Sequence, residues 1–221
     1  MKANFLLSLI LVSCSFTICN AQIKKGTISL GGDLSFYTNS SSTQGSSDNS
    51  KQNNLNLSPS IGKAVKDNLV FGIDLSYVHS FSKSENNIVK NSGNSFNAGV
   101  FLRKYLTLGK GFYLFGQGTA EVGYGTAKTS YQNSSMYKSE TKSFGTALAF
   151  YPGASYAISK KFQVEAGFRN LVYAGYSHSE QETTQAPNST TTKSKGNSFQ
   201  IGTTANSITS FTMGFRVFFP G

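Results

Sequence analysis

Two histidines, His79 and His178, are the side chains of this 221-residue chain whose ordinary proton chemistry falls near neutral pH. Ser80 follows the first, and Ser179 and Glu180 follow the second. A serine hydrolase needs a hydroxyl, an imidazole and an acid to converge. Adjacent residues on a strand point to opposite faces, so neither His-Ser pair is itself a nucleophile with its base. Four carboxylates, Asp33, Asp74, Glu121 and Glu165, fall on one parity of alternating segments and could be paired for acid–base work. The chain's three Arg, Arg103, Arg169 and Arg216, share that parity. Three cations against four anions favour a salt-bridged network over a catalytic pair. Glu180 and Glu182 could bind Ca²⁺ weakly, but that spacing is common by chance. The only cysteines, Cys14 and Cys19, lie in the N-terminal segment discussed below, which leaves no thiol or Cys-metal chemistry further on. The expectation is a protein that is not an enzyme, with no catalytic, cofactor-binding or metal-binding residue.

The elements that hold these charges explain why they share a parity. In the stretch 207–219, Phe211, Met213, Phe215, Val217 and Phe219 alternate with Thr212, Gly214, Arg216 and Phe218. A period of two marks a β-strand with two different faces. Seven further segments alternate in the same way, at 26–37, 54–63, 69–81, 96–106, 111–125, 143–158 and 162–176. Each supplies about the 9–11 residues that a tilted strand needs to cross a bilayer. The connections between them are alternately long and short: long at 38–53, 82–95, 126–142 and 177–206, and short at 64–68, 107–110 and 159–161. Short turns at one end and long loops at the other are the signature of an up-and-down barrel in an outer membrane. In nearly every segment one face is apolar and the other polar or small. The polar faces converge only if the apolar ones meet lipid, so the interior should hold Asp33, Asp74, Arg103, Glu121, Glu165, Arg169 and Arg216. Arg216 is expected beside Glu165 or Asp33, and Arg103 beside Asp74 or Glu121.

Residues 1–21 read as a secretory signal, with Lys2 in the n-region, an apolar run from Phe5 to Val12 and cleavage before Gln22. Residues 22–221 then form one barrel domain. Leu11-Val12-Ser13-Cys14 also fits a lipoprotein box, which would leave Cys14 lipidated. The net charge of +10 is distributed unevenly. The short-turn side carries Lys24, Lys25, Lys63, Lys66, Lys104, Lys110, Lys160 and Lys161 against Asp67 alone. Such a rim suits anionic phospholipid headgroups. The positive charge forms no single patch with interleaved aromatics, so nucleic acid is not expected as a partner.

The stretches Gly99-Val-Phe-Leu-Arg-Lys-Tyr105, Phe162-Gln-Val-Glu-Ala-Gly-Phe168 and Phe211-Thr-Met-Gly-Phe-Arg-Val-Phe-Phe219 resemble the small outer-membrane β-barrel family of Gram-negative bacteria, the class of OmpX and the OmpA membrane domain. The resemblance extends over essentially all of residues 22–221. It implies an all-β, eight-stranded, antiparallel, up-and-down transmembrane barrel in the cell outer membrane. It further implies that Phe211, Met213, Phe215, Val217 and Phe219 form the signal read by the barrel-assembly machinery. The family usually ends on its aromatic residue, whereas Pro220-Gly221 follow Phe219 here. A monomer surrounded by outer-membrane lipid is expected, with a structural role or a surface-interaction role through the long loops. The sequence does not identify a surface ligand. A narrow porin-like conduit and a lipid-modifying barrel enzyme are the alternatives within the membrane. A soluble barrel of lipocalin type, with its apolar faces turned inward, is the alternative outside it.

Overall fold

Alternating segments rich in Phe, Tyr, Val and Thr fold into strands throughout the computed structural model, which describes residues 23–42, 49–84, 89–131, 137–185, 190–204 and 211–221. The signal segment 1–21, Cys14 and residues 207–210 of the expected last strand lie outside the described residues. Ten strands follow in order: β1 (Ile28–Ser42), β2 (Asn49–Lys66), β3 (Leu69–Ser84), β4 (Val89–Gly109), β5 (Phe112–Tyr131), β6 (Tyr137–Ala157), β7 (Phe162–Phe168), β8 (Val172–Gln185), β9 (Thr190–Thr203) and β10 (Phe211–Phe219). All pairings between them are antiparallel. Strands β1 to β7 and β10 close an eight-membered ring, because β5 pairs with β6 and β10 lies between β7 and β1.

The two extra strands correct the expected ladder. The segment 162–176 does not run unbroken: it stops after Phe168 and resumes at Val172. Asn170 sits there in the left-handed region (φ 54°), which Asn tolerates better than most residues. Thr204 spans the break. Its hydroxyl donates to the carbonyls of Arg169 and Asn170, and its N–H donates to Leu171. Strand β6 therefore pairs with β7 near the short turns and with β8 further out. The partner strand is divided in the same way into β9 and β10, with β9 pairing β8 and β10 pairing β7. Residues 198–203 are strand, within the stretch 177–206 expected as a long loop.

The expected long loops are mostly ladder too. Pairing continues out to Ser42 with Asn49, Ser84 with Val89, Tyr131 with Tyr137 and Gln185 with Thr190. Only strands with one apolar face stand out in the sequence pattern. A hairpin standing in water needs no apolar face, and Ser, Thr and Asn pairs serve it, as where Thr38 donates to the Asn53 side-chain oxygen at 2.8 Å. At the opposite end the turns are tight. Lys110 and Gly111 both have positive φ (51° and 84°), as a primed two-residue turn requires, and glycine takes the second position without strain.

The polarity of the barrel is inverted relative to a soluble protein. Met213, Phe215, Leu34, Leu75 and Leu148 are each more than half exposed on the outer wall. Arg103 and Arg216, by contrast, are the largest fully buried side chains, at 1 % each. A barrel of lipocalin type would show the opposite.

Candidate functional site

The interior is built in layers, and each layer follows from strand parity. At the short-turn end it is aromatic rather than polar. Phe101 and Tyr105 flank Arg103 at the same parity on β4, Tyr113 and Phe115 face them from β5, and Phe218 enters from β10. Phe115 meets the Tyr151 ring edge-on at 5.3 Å between centroids. The segment before β1 crosses beneath this floor. Ile23 is buried in it, and its N–H and C=O both bond to Asn68 in the β2–β3 turn. Sequence reasoning assigned the inward faces a polar or small character and missed this cluster. The signal was present, because Phe101, Tyr105 and Phe218 have the parity of the arginines beside them.

Immediately above the floor, Glu165 of β7 is shared by two guanidiniums. Arg103 Nη1 reaches its Oε2 at 2.6 Å, and Arg216 Nε reaches its Oε1 at 3.1 Å. The Tyr105 hydroxyl donates to the same Oε1 at 3.1 Å. Arg103 also donates to the Gln117 side-chain oxygen at 2.6 Å and lies 4.2 Å over the Phe115 ring. Arg216 therefore meets one of its two expected partners. Arg103 does not, since neither Asp74 nor Glu121 pairs with it. Its carboxylate comes from across the barrel, β4 to β7, and not from a neighbouring strand.

The next layer joins Arg169, at the break after β7, to Asp33 of β1 at 3.2 Å. Tyr151 donates to Asp33 at 3.2 Å and lies 2.9 Å from the Thr212 hydroxyl. Arg169 Nε is buried with no hydrogen-bond partner among the described residues. Higher still, Asp74 and Glu121 face the interior from β3 and β5 on either side of Gly99. A Cβ built on Gly99 would lie 2.7 Å from Asp74 Oδ1 and 2.8 Å from Glu121 Cγ, so the glycine leaves the two carboxylates their space. Beyond them the wall turns to Gly, Ser and Ala. A cavity of about 280 Å³ opens there, lined by residues that include Ser95, Asn97, Glu121, Ser143, Tyr173 and Gln200. The seven interior charges thus form two arginine-bearing layers and a separate acid pair, not one network.

The other candidates lie outside this interior. On β10, Phe211, Met213, Phe215 and Phe219 are exposed on the outer wall, with Val217 half-buried among them. His79 bonds Asn94 at 2.9 Å, and His178 bonds Asn197 at 2.8 Å, each a cross-strand neighbour on the outer face. Glu180 and Glu182 are ion-paired with Lys195 and Lys193, both at 2.5 Å, in place of a shared cation. Their hydrogen bonds to those lysines hold both carboxyls below the ordinary carboxylate value. Among the described residues, no three His, Cys, Asp or Glu gather at metal-binding distance.

No described protein family matches the chain, and no curated protein matches it. Several solved structures do. The ferric yersiniabactin uptake receptor FyuA from Yersinia pestis is 14% identical, with a TM-score of 0.36, over 70% of this chain and 25% of that one. The chain therefore spans about a quarter of that receptor's length. A major outer membrane protein from Thermus thermophilus is 7% identical, with a TM-score of 0.47, over 88% of this chain and 99% of that one. Neisserial surface protein A is 15% identical, with a TM-score of 0.41, over 88% of this chain and 100% of that one.

Proposed function

We propose that the chain is an integral, non-enzymatic outer-membrane protein: a closed barrel, inserted as a monomer by the barrel-assembly machinery, whose long hairpins stand outside the cell. One observation carries this reading, the inverted wall that exposes Phe215 and Met213 while burying Arg103 and Arg216. In water that arrangement wastes the hydrophobic effect, whereas in lipid it places each side chain in its preferred medium. Strand length agrees. A 21-residue strand such as β4 is roughly 70 Å long at about 3.3 Å per residue, far more than a core about 30 Å thick needs even at a 45° tilt. The surplus is the polar hairpin.

The hairpins supply the surface available for interaction, whether structural or toward a ligand in the medium. The cavity above Glu121 is the observation that favours a small-molecule role, and the aromatic floor beneath it argues against passage. A lipid-modifying role finds no support at His79 or His178, since both are engaged by asparagines on the outer wall.

Fractionation with protease shaving of whole cells tests the reading. The protein should travel with the outer membrane, and cleavage should fall only between the paired hairpin strands, at residues 43–48, 85–88, 132–136 and 186–189. Cleavage at the 66–69 or 109–112 turns, or recovery in a soluble fraction, would overturn it.

A further inference from the structure

The outer wall contains two charges where only apolar residues should be. Along β2 the outward series reads Leu57, Pro59, Ile61, Lys63, Val65, and along β4 it reads Val100, Leu102, Lys104, Leu106, Leu108. Both lysines are exposed, and apolar residues continue past each toward the short turns. Lys63 sits in register between Ile28 and Phe71, and Lys104 sits opposite Leu69. The two flank β3 two residues out of register and so stand about 12 Å apart across the wall, at about 4.8 Å per strand step and about 3.3 Å per residue. Lys66, at the end of β2, is exposed close by.

Of the eight lysines on the long hairpins, Lys128, Lys193 and Lys195 each pair with a glutamate. No ion pair is recorded for Lys63, Lys66 or Lys104 among the described residues. Lys104 donates only to the backbone carbonyl of Asp67, at 3.4 Å. The Asp67 carboxylate, the acid of this sector, accepts the Lys25 N–H at 2.9 Å.

A lysine set among leucines on a lipid-facing wall keeps its stem in the acyl region and extends its ammonium to the headgroups. Three such ammoniums in one sector make a site for a phosphate that carries net negative charge. Beside Lys104, β5 presents Gly116 and, with open space over it, Gly118, so an acyl chain can lie against the wall there.

We propose that Lys63, Lys66 and Lys104 form a binding site for the headgroup of an anionic phospholipid in the leaflet at the short-turn side. The inference rests on the barrel lying in a bilayer as argued above. Each anionic lipid held there stabilises the orientation in which the turns face that leaflet.

The test uses the barrel in nanodiscs of phosphatidylcholine with a minor share of phosphatidylglycerol, with native mass spectrometry of the lipids that stay bound. The wild-type protein should retain phosphatidylglycerol several-fold above its bulk share. K63Q/K66Q/K104Q should fall to the bulk ratio. K128Q/K193Q/K195Q, which removes the same charge from the hairpins, should keep the enrichment, and K63R/K66R/K104R should also keep it. Enrichment that survives K63Q/K66Q/K104Q, or that K128Q/K193Q/K195Q abolishes, overturns the site. A heat-dependent gel shift is read first on every variant, and its absence in the wild-type protein would overturn the barrel reading itself.

Discussion

Glu165 is held by two guanidiniums and a phenol, whereas each guanidinium has other supports, so the interior should be most sensitive at the acid. Replacing Glu165 with Gln leaves Arg103 and Arg216 facing a neutral group in a dry layer. Loss of one partner from a buried pair costs about 3–5 kcal/mol. Arg216→Leu should cost less, about 1–3 kcal/mol, because Glu165 remains bonded to Arg103 and Tyr105. Urea midpoints of the refolded barrels should therefore fall in the order wild type, Arg216→Leu, Glu165→Gln, with all three still inserting. Equal midpoints for wild type and Arg216→Leu would remove Arg216 from the buried network. The parity of these residues is legible in the sequence, since all three arginines fall on the inward parity of segments whose outward residues are mostly apolar. The pairing of Arg103 is not. Its acid lies 62 residues away on a strand with which β4 does not pair, and the stagger between strands decides which carboxylate it meets.

At the scale of the strand, closure rests on β1 and β10, which pair over Ile28–Leu34 and Met213–Phe219. Phe215 projects outward from the middle of that seam, 53 % exposed, opposite Gly32. An acid there stands in the lipid-facing band, at a cost of up to about 2–4 kcal/mol with carboxylates toward the lower end. It also interrupts the stretch that the proposed function assigns to recognition by the assembly machinery. Phe215→Asp should abolish the heat-modifiable band in cells, and a normal band would count against the topology. The outer hairpin β8–β9 is held differently, by the exposed pairs Glu180–Lys195 and Glu182–Lys193. Both carboxyls are depressed from an ordinary 4.5, so the support is complete above about that pH and is lost as pH falls through the lower folded values. Amide exchange along β9 should hold steady from neutral pH to about 5, after correction for intrinsic rates, and accelerate below about 4; in K193Q/K195Q that acid step should vanish. The hairpin shows why strand ends escape a reading of the sequence. Amphipathic alternation marks only the part of a strand that separates lipid from interior. The polar continuation has no such contrast, and the break at Asn170 depends on a left-handed residue that no periodicity reveals.

The whole molecule is a tube closed at one end, and its capacity for transport is decided there. An eight-stranded ring leaves an interior about wide enough for side chains alone. Near the hairpins that space is left partly empty by Gly, Ser and Ala, which gives the cavity of about 280 Å³. Near the turns it is filled by Phe101, Tyr105 and Phe115, by the shared Glu165 layer and by Ile23 from below. A solute entering from the hairpin end would pass Glu121 and the Arg169–Asp33 pair and then meet two arginines locked to one acid over a bed of rings. The reconstituted barrel in a planar bilayer should therefore show no conductance steps. Tyr105→Ala with Phe115→Ala removes two of those rings, with the phenol that donates to Glu165 and the ring under Arg103, while every charged side chain and the wall stay in place. That variant should admit small ions, anions ahead of cations in the reversal potential, since the two arginines above the gap outnumber Glu165. Steps in the wild-type protein would replace the closed barrel with a conduit. A silent double variant would place the seal in the Arg103–Glu165–Arg216 layer and leave the aromatic floor as packing alone.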